Sequence, residues 1–483
     1  MSTITATPQQ RSWLWNFFNK VDTSNPNKKL CLRNKIGYMF GDIGNNMSFA
    51  LSSTFFMAFY VDVIGVSAAA VGVLFLVARI WDGCNDPIMG TISERAYVKK
   101  NDPTADKYRP YLLKGTFMLA AAAVLMFLVP DSLESMNAKI AWMSATYIIW
   151  GMCYTFVNIP YGSLASSMTQ DAAEGLALSN FRVFGAILAG TIIKTALPIA
   201  FVLFADDMKT AYLVGAVACS ILGITSHTLA FLNTKENIKP EPQPMTPFKE
   251  QIRSIFTNRL LIAAALAGLV SLTALYGISG VLIFYIRSNL DNAMHILAYT
   301  GFIDLTVMAL IMKFSPKLVD KFGNRLLILW CCAGSLIFCT AGYFLVSTPT
   351  QYLVFYCVEK IFSMFSVGVM WALVADCIEY NHYKTGKREA GVIYSAYSLS
   401  RKLAGALAGL VGGVGVTIVG YNATLATQTI ETQQGLHAIV FLMPAVAAGL
   451  MWLIFKFIWN LTPEKREEIV KHNQAMMKLG DKC

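Results

Sequence analysis

The sequence predicts an all-α membrane protein, with twelve transmembrane helices in two six-helix halves around a central cavity. Three observations carry this. Of the 483 residues, 55% are hydrophobic and only 14% are charged, against about 25% charged in a soluble domain; mean hydropathy is +0.51. Apolar runs recur at 36–61, 68–92, 111–129, 140–163, 178–204, 211–232, 260–286, 294–314, 326–346, 351–375, 390–419 and 438–459, each long enough to approach the roughly 20 residues a span needs. The loops between them alternate. One set holds Arg95, Lys99, Lys100, Lys107 and Arg109, then Lys235, Lys239, Lys249, Arg253 and Arg259, then Lys313, Lys317, Lys321 and Arg325, then Lys384, Lys387 and Arg388. The loops at 62–67, 130–138, 348–351 and 421–437 hold neither Lys nor Arg. The positive-inside rule then puts both termini in the cytoplasm. It also explains the net charge of +10 without nucleic acid, because the basic residues sit in short loops between apolar runs.

Taken in order, residues 1–35 read as a polar cytoplasmic segment, with no signal-peptide core before Lys35. Residues 36–232 make the first half. Residues 233–259 form a cytoplasmic loop containing Lys239-Pro240-Glu241-Pro242-Gln243-Pro244, the natural hinge. Residues 260–460 make the second half, and 461–483 a cytoplasmic tail. The ten cysteines are scattered, without a CxxC pair, so they read as reduced core residues.

The second span is the most informative. Within an apolar run it carries Arg79-Ile80-Trp81-Asp82-Gly83-Cys84-Asn85-Asp86. Asp82, Asn85 and Asp86 fall at i, i+3 and i+4, one face of a helix, with Arg79 three residues earlier. A charge at mid-bilayer costs about 2.5–3.5 kcal/mol on insertion scales, so such groups face a cavity or a partner. Carboxylate and amide oxygens suit a hard cation or a proton. The bland reading of Asp82 is a structural pair with Arg79.

Other spans add polar groups. The first holds Gly41-Asp42-Ile43-Gly44-Asn45-Asn46, and the fourth holds Tyr154-Thr155-Phe156-Val157-Asn158-Ile159-Pro160-Tyr161. Pro160 frees a carbonyl one turn back. The fifth opens near Arg182, and its Lys194 reads as a snorkelling lysine. The tenth contains Glu359 and Lys360 near its outer end and Asp376 at its other end; the eleventh contains Tyr394, Tyr397, Arg401 and Lys402 before a Gly/Ala-rich run that suits close helix packing.

The two halves echo each other. The second span ends in Gly90-Thr91-Ile92-Ser93-Glu94-Arg95, and the eighth in Ser315 to Arg325 with Asp320 and Gly323. This resembles the cytoplasmic signature of the major facilitator superfamily, in which two halves rock around a midplane site. The stretch 79–90, the phrase Asn158-Ile159-Pro160-Tyr161-Gly162-Ser163-Leu164 and the phrase Ala375-Asp376-Cys377-Ile378-Glu379-Tyr380 together resemble the glycoside–pentoside–hexuronide:cation symporters, over residues 36–465. The resemblance implies that Asp82, Asn85, Asp86 and Thr155 match the cation-site positions, and that Asp62, Arg79, Arg182 and Lys402 match further charged positions, the last two near the sugar. Two sugar-binding acids of the family's melibiose permease correspond to Asn46 and Asn158 here, which brings the chain closer to the family's glucuronide carriers.

From this the expected activity is symport of a sugar or glycoside with Na⁺ or H⁺, without an enzymatic step or cofactor, by a monomer in the bacterial inner membrane. Asn46, Tyr154, Asn158, Arg182, Tyr397 and Lys402 are the expected substrate residues. Asp42, Asp62, Arg79 and Asp376 are expected in charge networks. Glu94, Arg95, Arg109, Asp320 and Arg325 are expected to tie helix ends together on the cytoplasmic side when the carrier faces outward. A sodium-coupled lysolipid carrier of the same family is the alternative, as is a carrier of neutral pentosides or galactosides; a lipid cavity would be apolar, which these residues are not. An intramembrane hydrolase using Asp82 and Asp86 lacks a nucleophile and leaves the twelve spans unexplained.

Overall fold

The computed structural model describes residues 30–100, 106–169, 172–237, 258–385, 390–425 and 427–480. The N-terminal half runs α1 (Leu32–Leu51, prolonged by wide π turns at Ser52–Phe56 and Phe59–Val63), α2 (Ala68–Lys100), α3 (Arg109–Phe127), α4 (Met136–Met168), α5 (Ala172–Leu203) and α6 (Met208–Asn233). The C-terminal half runs α7 (Arg259–Asn289), α8 (His295–Phe322), α9 (Asn324–Leu345), α10 (Pro349–Thr385), α11 (Ala390–Ile418) and α12 (Ile430–Leu453, prolonged by a π turn at Ile454–Ile458). A polar helix, α13 (Pro463–Gly480), follows. Among the described residues, ten helices, α3 to α12, are long and apolar enough to cross a membrane.

Several helices outrun the apolar stretches read from the sequence. The second continues from residue 92 to 100, the fifth begins at 172 and the tenth continues to Thr385. Hydropathy marks only the part of a helix that lies in hydrocarbon; backbone hydrogen bonding carries the same helix on into water.

The helix ends bear the mark of a repeat. In the first half Arg33, at the start of α1, donates from Nε to Asn233 Oδ1 at 2.6 Å, and Arg109, at the start of α3, bonds the Phe231 carbonyl. In the second, Arg259 at the start of α7 bonds the Ile458 and Phe457 carbonyls at 3.0 and 2.7 Å, and Arg325 at the start of α9 bonds those of Phe455 and Lys456 at 3.1 and 3.0 Å. In each half the first and third helices thus pin the end of the sixth, whose last carbonyls lack helical partners. The orphan N–H groups opening α3 are also satisfied, because Glu236 accepts from the amides of Lys107, Tyr108 and Arg109 at 2.7–2.9 Å.

The halves meet along α2 against α11 and α5 against α8. Contact is close because glycines face each other: a Cβ built on Gly413 would stand 2.4 Å from the Ala68 carbonyl oxygen and 2.8 Å from Gly72 Cα. Gly413→Ala should therefore destabilise the protein by about 1–3 kcal/mol, the usual cost of overpacking, lowering its thermal midpoint in detergent. Gly190→Ala, whose Cβ would meet nothing within 4 Å, should leave the midpoint unchanged.

Candidate substrate and cation site

Two charge clusters sit on the inner face of the N-terminal half, two turns apart along α1. In the first, Asp42 is buried; Arg182 Nε on α5 donates to its Oδ1 at 2.9 Å, and Asn46 Nδ2 donates to its Oδ2 at 2.9 Å. Arg182 lies over the Tyr161 ring at 5.3 Å. Its side chain is 35% exposed. Tyr161 itself is fixed, donating its hydroxyl to the Tyr38 carbonyl at 2.7 Å and stacking on Tyr38 at 4.7 Å. Gly41 makes this possible, for its Cβ would strike the Tyr161 ring at 2.3 Å.

In the second cluster Arg79 Nη1 donates to Asp82 Oδ2 at 2.9 Å, within one helix. The other oxygen, Oδ1, lies beside Gly151 of α4, where a Cβ would come to 3.3 Å. Thr155, buried, follows Gly151 by one turn, which places its hydroxyl on the same face of α4. Arg79 also stands over the Phe49 ring at 5.2 Å. Phe49 in turn touches Trp150 at 6.4 Å, Tyr154 at 5.6 Å and Tyr276 of the other half at 6.4 Å. An aromatic layer thus separates the two charge clusters.

The structure brings together much of what the sequence nominates and relocates the rest. Asp82, Thr155 and Arg79 form one group. Asp42, Asn46 and Arg182 form another, with Tyr154 of α4 in electrostatic range of Asp42 and Arg182 and Asn158 one turn further along the same helix. Lys402 belongs to the first group, since it stands within electrostatic range of Asp82 and Arg79. The cation from α11 that reaches Asp42 is its neighbour Arg401, a correction that follows from the roughly 100° between adjacent residues on a helix. Tyr397, expected at the substrate, is 2% exposed, packs on Gly268 of α7 and stands within electrostatic range of Arg401 and Tyr276. Asn85 lies on α2 and is partly exposed. The side chains of Asp86, Glu94, Arg95 and Asp320 lie outside the described ones.

The network residues also find partners the sequence did not reveal. Arg109 bonds Asp106 and Arg325 the end of α12, each inside its own half; the other residues expected to tie the cytoplasmic helix ends, Glu94, Arg95 and Asp320, have side chains outside the described ones. Asp376 takes Arg466 of α13 at 2.6 Å. Glu359 lies 3.8 Å from Lys360 and accepts from Ser335 at 3.4 Å. Lys194 is no snorkelling residue: its Nζ donates to Asp304 Oδ2 of α8 at 2.8 Å, and Tyr356 of α10 donates to Oδ1 of the same acid at 2.9 Å. Asp62 is held by Arg287 of α7 and by the Tyr421 hydroxyl at 3.1 Å. No sequence signal pairs residues this far apart.

Lys194–Asp304, Asp62–Arg287, Asp62–Tyr421 and Thr191 to the Gly301 carbonyl at 2.8 Å join the halves in the part of the bundle opposite the chain ends.

The family described as MFS/sugar transport protein matches residues 37–462. The chain belongs to this family, and is a transporter rather than an enzyme. It is 33% identical over 94% of its length to the "Uncharacterized symporter YjmB" of Bacillus subtilis (strain 168), covering 97% of that protein. It is 32% identical over 92% of its length to the "Glucuronide carrier protein homolog" of Escherichia coli (strain K12), covering 96% of it. Among solved structures, a bacterial homologue of the human lysosomal transporter Spinster matches 89% of the chain and 98% of its own with a TM-score of 0.59 at 12% identity. The nucleoside transporter NupG matches 89% and 100% with a TM-score of 0.57 at 12% identity. These two likenesses concern the fold. The transporter is a multi-pass membrane protein for a small sugar-type molecule.

Proposed function

We propose that this transporter is a cation-coupled hexuronide symporter that takes up a glucuronide-like substrate across the bacterial inner membrane, as a monomer with both termini in the cytoplasm. The observation that carries the substrate is Arg182, a part-exposed guanidinium that shares the Asp42 carboxylate with the amide Asn46, with the amide Asn158 one turn from Tyr154 on α4. Amides accept and donate to sugar hydroxyls and do not repel a carboxylate, while Arg suits bidentate carboxylate binding. The relative named for glucuronide supports the same class.

The coupling ion, Na⁺ or H⁺, belongs at Asp82, Asn85, Asp86 and Thr155. Arg79 holds one Asp82 oxygen, so ion and guanidinium compete for that carboxylate. With the termini in the cytoplasm, the Lys194–Asp304 and Asp62–Arg287 contacts join the halves on the outer side.

Arg182→Gln tests the substrate class. Competition uptake with a glucuronide and its matching glucoside should favour the glucuronide by about 1.5–3 kcal/mol in the unmutated protein, the worth of a charge-assisted hydrogen bond. The variant should lose that preference and keep some glucoside binding. Equal competition in the unmutated protein points to a neutral glycoside.

A further inference from the structure

We propose that Asp42 is a second proton-coupling group, loaded by the carboxylate of the substrate itself; this rests on the hexuronide reading above. Asp42 is 4% exposed, and both its oxygens are occupied, one by Arg182 Nε and one by Asn46 Nδ2. Arg182 is also the cation that would receive a hexuronide. The empty carrier therefore holds an internal anion where the substrate's anion must go.

The surroundings mark the same place as a ligand site. Asn45 is fully buried with neither its Nδ2 nor its Oδ1 bonded, and Asn158 Oδ1 is buried without a partner as well. Asn45 lies one turn from Gly41, which meets Tyr161, and one turn from Phe49, which meets Tyr154. Asn158 lies between Tyr154 and Tyr161 on α4. The two amides therefore share a layer next to the Asp42–Arg182 pair, and sugar hydroxyls would satisfy them. Leaving such groups unbonded costs about 1–3 kcal/mol each.

When a substrate carboxylate docks on Arg182, a second anion enters the site where Arg182 and Arg401 face Asp42. Each of two carboxylates sharing a site raises the other's affinity for a proton. Asp42 resolves this by taking one proton from hydronium or buffer acid in the bulk solution, which is left as water or the buffer's conjugate base: an O–H bond forms on its carboxyl, Arg182 passes to the substrate, and the loaded site keeps the charge it had when empty. On release of the substrate Asp42 gives the proton back and recovers Arg182.

The groups facing Asp42 are consistent with this. Arg182 comes from α5, Tyr154 and Tyr161 from α4, and Arg401 acts from α11. His227 of α6 presses on Gly44 across α1, bonded to Thr116 at 2.9 Å. Asn46 and Tyr38 share its helix. The site is separate from Asp82: Phe49, which carries Arg79 above it, is seven residues further on, about 10 Å along the helix axis.

The test uses the purified full-length protein in weakly buffered solution with a pH indicator, and methyl glucuronide and methyl glucoside as ligands. Glucuronide binding should take up one proton more per site than glucoside binding at the pH of greatest uptake. Because the complex holds that extra proton and the free carrier does not, glucuronide affinity relative to glucoside should fall about tenfold per unit rise in pH through that range. Asp42→Asn should flatten this dependence, and Asp42→Glu should restore it, which a merely structural pair would not do. His227→Gln should leave it in place. Glucuronide binding with no more proton uptake than glucoside binding in the unmutated protein, or an Asp42→Asn protein that binds with the original slope, overturns the proposal and leaves the hexuronide reading standing. Failure of the glucuronide to bind overturns both.

Discussion

Asp82→Asn should abolish concentrative uptake while the protein still inserts and binds its substrate: the ratio of internal to external substrate falls to one with any gradient imposed. Asp82 offers one oxygen to Arg79 and presents the other beside Gly151 on α4. An amide there keeps the shape, removes the charge a cation needs, and leaves the Arg79 guanidinium without its carboxylate. Removing one partner of a buried ion pair costs about 3–5 kcal/mol, so Arg79 would be held in place only by Phe49 and its other neighbours. Asp86→Asn should act alike. Thr155→Ala removes a neutral oxygen and should weaken Na⁺ stimulation more than proton-driven uptake. The measurement is substrate accumulation in vesicles matched for carrier content; accumulation against the gradient in the Asp82→Asn vesicles would remove Asp82 from the coupling site.

The second large effect should come from the pair that joins the halves on the outer side. Lys194 and Asp304 join α5 to α8 at 2.8 Å, with Tyr356 on the other carboxylate oxygen. The pair forms only when the halves are together there; once they part, water solvates each charge. Lys194→Met leaves Asp304 buried with its tyrosine alone and should weaken the closed arrangement by about 3–5 kcal/mol, which shifts the two-state ratio on the order of 10²–10³-fold. A cysteine placed in the outer cavity should then react with an impermeant reagent far faster than in the parent. The exchanged variant Lys194→Asp with Asp304→Lys should return the rate toward the parent value. An unchanged rate in Lys194→Met would mean the pair only braces the fold.

These two clusters show what the sequence could and could not convey. The span at 68–92 was legible because Asp82, Asn85 and Asp86 repeat at helical spacing inside an apolar run, and Arg79 pairs within the same helix. Helical neighbours three residues apart can be read directly from the sequence. Lys194 was misread because its partner lies 110 residues away on another helix, and a lone lysine within a span has a simpler account in snorkelling. Asp42 stood out as a charge in the first span, but its tie to Arg182 depends on how α1 packs on α5. Lys402 and Arg401 were both visible; which of them faces Asp42 depended on the rotation of α11, which a Gly/Ala-rich sequence does not fix. The helix ends past residues 92 and 375 were missed for a different reason, since the apolar pattern stops where the bilayer does.

The account as a whole rests on coupling, and uptake of a radiolabelled glucuronide into membrane vesicles tests it most directly. With an inward Na⁺ or proton gradient imposed, internal substrate should rise above its equilibrium level and fall back as the gradient decays, and the rise should vanish when an ionophore collapses the gradient. Uptake that reaches the same equilibrium level with either gradient present or absent would contradict a cation-coupled symporter.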